Sequence, residues 1–257
     1  MSMRRELGRW PGRVAACLVA TVIDDRCPGC DGELPGWLGP TCPSCVDRLH
    51  REAGRCCRHC SLPLADGEEA NVVLCSGCAM EPAVLPTLAP LPHAGLAAHL
   101  VGALKHERRR ELAELLASVT FSDLRVRLAL HEADGIVPVP SDPHRLRERG
   151  FDPAALLAEE IGRRADRPVL RWLTRPAGQP TQVSRGARER RRGPRFGPGL
   201  RLRWARRRGQ RLKVVIVDDV VTTGATVHRA SEALRAWGME ASGVVAVTRS
   251  AFVEPPA

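Results

Sequence analysis

Aromatic side chains are scarce in this chain: it has no tyrosine, four phenylalanines and five tryptophans among 257 residues. Stacking along an extended nucleic-acid strand needs a row of aromatic platforms. Only Phe196 and Trp204 interleave the arginines of the most basic stretch, which argues against that mode of binding. No apolar segment approaches the ~20 residues that a membrane-spanning helix requires. The short apolar run 14–23 follows N-terminal arginines but has no small-x-small cleavage site, and Asp24-Asp25 come directly after it. A short amphipathic helix fits that run better than a secretory signal does. The Gly-x-x-x-x-Gly-Lys-Ser/Thr pattern of a Walker loop is missing, and no residue stands out as a general base.

Cysteine, by contrast, is abundant and unevenly placed. Eight of the ten cysteines form four Cys-x-x-Cys pairs, Cys27/Cys30, Cys42/Cys45, Cys57/Cys60 and Cys75/Cys78, all in the first third of the chain. Two thiolates in one turn bind a metal together, and two such pairs complete a tetrahedral zinc site. Four pairs therefore imply two zinc ions, with the order of pairing left open. A disulfide framework is the competing reading and needs an oxidising compartment; with no sign of secretion, a reduced cytoplasmic protein is expected. Cys17 and Cys56 fall outside the pairs.

The net charge of +10 is local. Residues 185–213, from Arg185 to Lys213, hold thirteen basic residues and one acid, Glu189, so this stretch contributes +12 and the rest of the chain about −2. Such a block can neutralise nucleic-acid phosphates.

The stretch Val214-Val215-Ile216-Val217-Asp218-Asp219-Val220-Val221-Thr222-Thr223-Gly224-Ala225-Thr226 carries the most chemistry. Four β-branched residues without polar alternation suit a strand buried on both faces of a parallel sheet. Asp218 and Asp219 then fall at its carboxyl end, where open α/β sheets bind ligands. The threonine hydroxyls, Gly224 and the free N–H groups of a following helix suit a phosphate, while two acids can accept hydrogen bonds from a sugar diol or hold a divalent cation. A sugar phosphate is the implied ligand.

Along the chain, residues 80–92 read as a proline-rich linker and 93–117 as one or two helices broken by the charged patch 105–110. Gly135 to Pro140 reads as a short buried strand. Asp152-Pro153 supplies a cap and first-turn proline for a helix to about Arg164. Val169 to Leu173 and Ser242 to Val247 read as further strands. Alternating strands and helices indicate a parallel α/β domain. The expected organisation is an N-terminal helix over 1–26, a cysteine-rich module over 27–79, an α/β domain over 93–250 and a disordered tail over 251–257.

The Asp218-to-Thr226 motif resembles the phosphoribosyl-pyrophosphate (PRPP) loop of type I phosphoribosyltransferases. That resemblance implies that Asp218 and Asp219 hold the ribose hydroxyls while Thr222, Thr223, Gly224, Ala225 and Thr226 cradle the 5′-phosphate. A zinc-ribbon-like module of Cys-x-x-Cys pairs ahead of such a domain resembles the ComF family, which includes the proteins called GntX. The likeness extends to Lys105 in its helix and to Val137-Pro138-Val139-Pro140 followed by Arg145-Leu146-Arg147-Glu148-Arg149-Gly150-Phe151. Family members usually continue with Asn-Gln, where Asp152-Pro153 stand here. Further on, Gln182, Ser184, Arg188 and Phe196 match the family, but arginines replace its asparagine.

The resemblance implies a type I phosphoribosyltransferase-like parallel sheet flanked by helices. It makes Arg145, Arg149 and Lys105 candidate pyrophosphate ligands, with Mg²⁺ neutralising the leaving group. It also implies a DNA-handling role in natural competence, with single-stranded DNA as a partner through Arg185 to Lys213 and proteins of the uptake machinery as further partners. Two other functions compete. A salvage phosphoribosyltransferase for a nucleobase or small molecule explains the loop but leaves the cysteines without a role. A PRPP-sensing scaffold without turnover explains both.

Overall fold

A computed structural model describes residues 26–34, 39–64, 73–80, 85–176, 194–207, 209 and 211–251. The helix expected over 1–26 and the tail expected over 251–257 lie outside these residues except for Arg26 and Ala251, as do Gln182, Ser184 and Arg188. In chain order the elements are α1 (Pro43–Glu52), α2 (Ser76–Met80), β1 (Thr87–Leu88), β2 (Leu91–Pro92), α3 (Gly95–His106), α4 (Leu112–Ser122), α5 (Leu124–His131) and β3 (Gly135–Pro138). There follow α6 (Pro143–Arg149), α7 (Pro153–Ala165), β4 (Leu173–Thr174), β5 (Gly197–Pro198), α8 (Leu200–Arg207), β6 (Lys213–Val221), α9 (Ala225–Ala236) and β7 (Glu240–Arg249).

The main sheet has the order β1, β7, β6, β3, with β2 also on β7, and every pairing is parallel. Its centre is the β-branched run: Ile216 pairs with Val137 on one side and Val244 on the other. Successive side chains of a strand point to opposite faces. Val215 and Val217 join the core under α3, α4, α5 and α7, while Val214 and Ile216 join the core under α8 and α9. The result is three layers, helices on both faces of one sheet.

Two local readings of the sequence are corrected. The stretch read as a linker carries β1 and β2, both hydrogen-bonded to β7. Val169 to Leu173 is not a core strand: Val169 makes a single bridge to Ile136, and the chain then leaves the sheet. The Trp172 N–H turns back to Leu170 O, and Leu173 pairs antiparallel with Pro198 in a separate two-stranded sheet. The helical stretch after His93 is broken in the charged patch as expected: it ends at Glu107, Arg108 takes a positive φ, and the chain resumes as α4; Asp123 then caps α5 through the Arg125 N–H.

The first pair of cysteine knuckles is built into this core. Cys27, Cys45 and Leu49 pack with Leu96 and Leu100, and the carboxylate of Glu52 at the end of α1 accepts from Leu96 N and Ala97 N, both at 3.0 Å. Two of the orphan donors at the start of α3 are thus satisfied from the neighbouring helix. Gly95 permits this approach: its φ is +53°, and a Cβ there would lie 2.8 Å from Glu52 Oε1. Replacing Glu52 by Ala is expected to lower the unfolding free energy by about 1–2 kcal/mol, the range for losing a helix cap. Glu52→Gln, which keeps an oxygen acceptor, should lose less. Denaturant unfolding of the metal-loaded protein checks the order, and equal stability of all three proteins would contradict it.

Candidate functional site

Two cysteine tetrads are assembled by the same local device. Cys27 N donates to Gly32 O and Cys57 N to Leu62 O, and the residues after the second cysteine of each knuckle, Asp31 and Ser61, have positive φ. Each returning pair opens a helix: Cys42 is the N-cap of α1, and Cys75 immediately precedes α2. Sequence spacing leaves the pairing open, and the fold resolves it in consecutive order. Cys27, Cys30, Cys42 and Cys45 form one group, Cys57, Cys60, Cys75 and Cys78 the other, each with its sulfurs within 4.8 Å of one another.

Cys30 and Cys42 Sγ are 3.7 Å apart, as are Cys60 and Cys75 Sγ. A disulfide needs about 2.05 Å, whereas tetrahedral thiolates at ~2.3 Å from one zinc ion stand close to the observed separation. The donor set therefore fits a tetrahedral metal such as zinc. The backbone N–H of Cys45 lowers Cys42 to about 7. Burial opposes ionisation of Cys57, but backbone N–H groups of Cys60, Cys75 and His59 outweigh it and bring that thiol to about 6. Burial, followed by the neighbouring thiols, pushes Cys45 up; burial does the same to Cys60.

The second constellation lies at the carboxyl end of the sheet. β6 continues past Val217 through both acids, but β3 does not follow. Its last bond is Val139 N to Val217 O, and the next N–H on that side, Ser141, goes instead to the Asp152 carboxylate at 2.9 Å. The Ser141 hydroxyl also donates to Asp152 (3.0 Å), and the same carboxylate caps α7 through Ala155 N. A gap opens beside Asp218 and Asp219. It is a cavity of about 130 Å³, lined by these acids with Lys105, Ser141, Asp142, Arg145, Arg149, Arg175 and Thr226 among others.

Lys105 at the end of α3 pairs with Asp219 at 2.7 Å, and both side chains are largely shielded. Asp218 accepts the Asp219 N–H at 2.9 Å; desolvation, then the charge of Asp219, pushes its carboxyl well above the usual range. Arg145 and Arg149 are one turn apart on α6, which Asp142 caps through His144 N and Gly150 ends in the left-handed region. Their charges, after burial, hold His106 below its ordinary value. Gly224 has φ +78°, turning the chain so that α9 starts at Ala225 with Thr223 Oγ1 accepting the Ala225 N–H. Thr226 lines the cavity; Thr222, Thr223, Gly224 and Ala225 form the turn leading to it.

The fold thus gathers Asp218, Asp219, Thr226, Lys105, Arg145 and Arg149 around one cavity. It adds Arg175, ion-paired to Asp142 at 3.3 Å just beyond β4. Nothing in the sequence distinguishes Arg175 among the 39 lysines and arginines. Its place depends on the small β4–β5 sheet. Of the basic stretch from Arg185 to Lys213, residues 185–193 lie outside the described residues; the described part shows α8 with Arg201, Arg203, Trp204 and Arg207 exposed.

A parallel sheet with helices on both faces, an acid pair and threonine turn at its carboxyl end, and two Cys₄ clusters ahead of it define a type I phosphoribosyltransferase-like protein with a zinc-ribbon-like module. The chain is 32% identical over 209 residues to the DNA utilization protein YhgH of Salmonella typhimurium, covering 75% of this chain and 83% of that one. It is 24% identical over 227 residues to competence protein F of Haemophilus influenzae, covering 87% and 90%. The chain belongs to this competence protein F and YhgH family, the ComF family. No protein-family model matches it. Among solved structures, orotate phosphoribosyltransferase from Aeropyrum pernix aligns at a TM-score of 0.27 with 16% identity, over 59% of this chain and 75% of that one, a likeness too slight to bear on the fold.

Removing a single thiolate should separate the two tetrads. Cys45→Ser is expected to purify with one fewer equivalent of zinc while the second tetrad stays loaded. Affinity should weaken steeply as pH falls, because metal must displace the protons that burial keeps on Cys45 and Cys60. Metal analysis and a chelator titration between pH 6 and 8 read both; loss of all zinc, or a flat pH response, would contradict this.

Proposed function

We propose that this protein binds PRPP with Mg²⁺ in the cavity beside Asp218 and Asp219, carries zinc in its two cysteine tetrads, and serves DNA utilization by also holding single-stranded DNA. The observation that carries the reading is the convergence of an acid pair, Thr226 at the end of the threonine turn, and four cations, Lys105, Arg145, Arg149 and Arg175, on one cavity. Asp218 and Asp219 accept the ribose hydroxyls. The turn from Thr222 to Thr226 and the start of α9 receive the 5′-phosphate, since free helix N–H groups favour an anion. Arg145, Arg149 and Lys105 face the pyrophosphate, and guanidinium suits a multiply charged phosphate. Lys105 exchanges its bond to Asp219 for one to the ligand. The Asp218 and Asp219 carboxylates would hold Mg²⁺, which when bound neutralises the pyrophosphate group.

The DNA part of the reading comes from the relatives, whose names are competence protein F and DNA utilization protein, and from the arginines of α8 and its flanks. With Trp204 alone exposed among them, backbone neutralisation outweighs base stacking. A salvage enzyme would need a surface that recognises a planar base, and among the described residues the cavity lining includes no aromatic side chain.

Calorimetric titration of the zinc-loaded protein with PRPP and Mg²⁺ tests the site. Asp218→Asn with Asp219→Asn should weaken binding at least about tenfold, the cost of one or two hydrogen bonds to charged groups. Because the Asp218 carboxyl is raised, affinity should begin to fall on acidification at a pH above the ordinary carboxylate range. Asp218→Asn should flatten that component, which separates it from titration of the ligand itself. Binding to single-stranded DNA should lose orders of magnitude between about 50 and 200 mM salt. Unchanged PRPP affinity in the double variant, or a salt-independent DNA response, would contradict the reading.

A further inference from the structure

Arg249, the last residue of β7, is a charged side chain in the core at 9% exposure. Its Nε donates to Cys60 O at 3.0 Å, and its Nη1 donates to Val221 O at 3.1 Å and to Thr222 O. One planar guanidinium therefore bridges the backbone of a metal knuckle and the first residues of the phosphate turn. The two ends are otherwise far apart in the sequence and belong to the two different parts of the protein.

The knuckle is in turn fixed to the sheet. Thr87 N donates to His59 O at 2.7 Å, and the buried Ser61 hydroxyl donates to Thr87 O and accepts from Ala89 N. On the other side, Val221 pairs with Arg249 in the β6–β7 ladder and accepts the Ser250 N–H. No carboxylate among the described residues pairs with this guanidinium, and a buried unpaired charge is costly. Its guanidinium instead sits against Cys60, a member of the second tetrad. A zinc ion with four thiolates keeps a net negative charge, so the loaded tetrad is the counter-ion that a buried arginine needs.

We infer that Arg249 is a positioning residue through which the second cysteine tetrad, when loaded with metal, sets the phosphate turn from Thr222 to Thr226 and so couples metal binding to PRPP binding. The inference rests on the PRPP reading of that turn. Arg249 does not line the cavity; it acts on the carbonyls of Cys60, Val221 and Thr222. Coupling of two sites is reciprocal, so PRPP must strengthen zinc binding at this tetrad by the factor by which zinc strengthens PRPP binding. The tetrad at Cys27 to Cys45 meets the cavity wall through Glu52 and α3 instead, and provides an internal control.

The test measures zinc release from the full-length, zinc-loaded protein to a chromophoric chelator, with and without PRPP and Mg²⁺, alongside calorimetry with PRPP. In the wild type, PRPP should hold one of the two zinc equivalents at least about fivefold more tightly and leave the other unchanged. Cys75→Ser, lacking the second tetrad's metal, should show no PRPP effect on the zinc that remains. Arg249→Lys keeps the charge but loses the planar fork; it should retain both zincs, bind PRPP about tenfold more weakly and lose the PRPP effect on release. PRPP that binds the wild type but leaves both zincs equally exchangeable overturns the inference while the functional reading stands. Wild-type affinity in Arg249→Lys does the same. No PRPP binding by the wild type overturns both.

Discussion

The site exists because two adjacent parallel strands end at different points. β3 gives up its ladder at Val139, because the next N–H on that side, Ser141, turns to Asp152. β6, held on its other edge by β7 as far as Val221, runs on alone. Everything polar at this end depends on that mismatch. Asp218 and Asp219 emerge on an edge with no neighbouring strand, and the cavity is the space β3 would have filled. Asp152 is the pivot, since a single carboxylate ends one strand's pairing and starts α7.

The cysteine tetrads stand close to this site without entering it. The first reaches it through α1, whose Glu52 caps α3, the helix that carries Lys105 at its far end. The second lies against the sheet edge at β1 and, through Arg249, against the threonine turn. The helix that carries Lys105 and the turn that leads to Thr226 are therefore bonded to different knuckles. Metal is the natural reinforcement for such anchors: small knuckles bury little apolar surface of their own, and their stability comes from closing the ligand set.

The central features were legible in the sequence because they depend on local patterns. A β-branched run followed by Asp-Asp and a threonine-glycine turn specifies strand, acids and helix start within thirteen residues, and all three are found in that order. Cys-x-x-Cys spacing specifies knuckles, and Asp152-Pro153 specifies a helix start. What the sequence concealed is set by distant partners. Arg175 and Arg249 look like any other arginine until the β4–β5 sheet and the β6–β7 register place them. The strands β1 and β2 are two residues each, too short for alternation to show, and they exist only because β7 offers a free edge. Val169 to Leu173 has the composition of a strand, but after one bridge to Ile136 its backbone bonds turn inward and away from the sheet.

The most direct measurement is a crystal structure of the zinc-loaded protein with PRPP and Mg²⁺, with anomalous scattering recorded at the zinc edge. The account predicts one zinc peak inside each tetrad, the ribose hydroxyls on Asp218 and Asp219, the 5′-phosphate in the turn from Thr222 to Thr226, and Lys105 withdrawn from Asp219. A phosphoribosyl ligand bound elsewhere, or a cavity that still holds the Lys105–Asp219 pair at saturating PRPP, would contradict it.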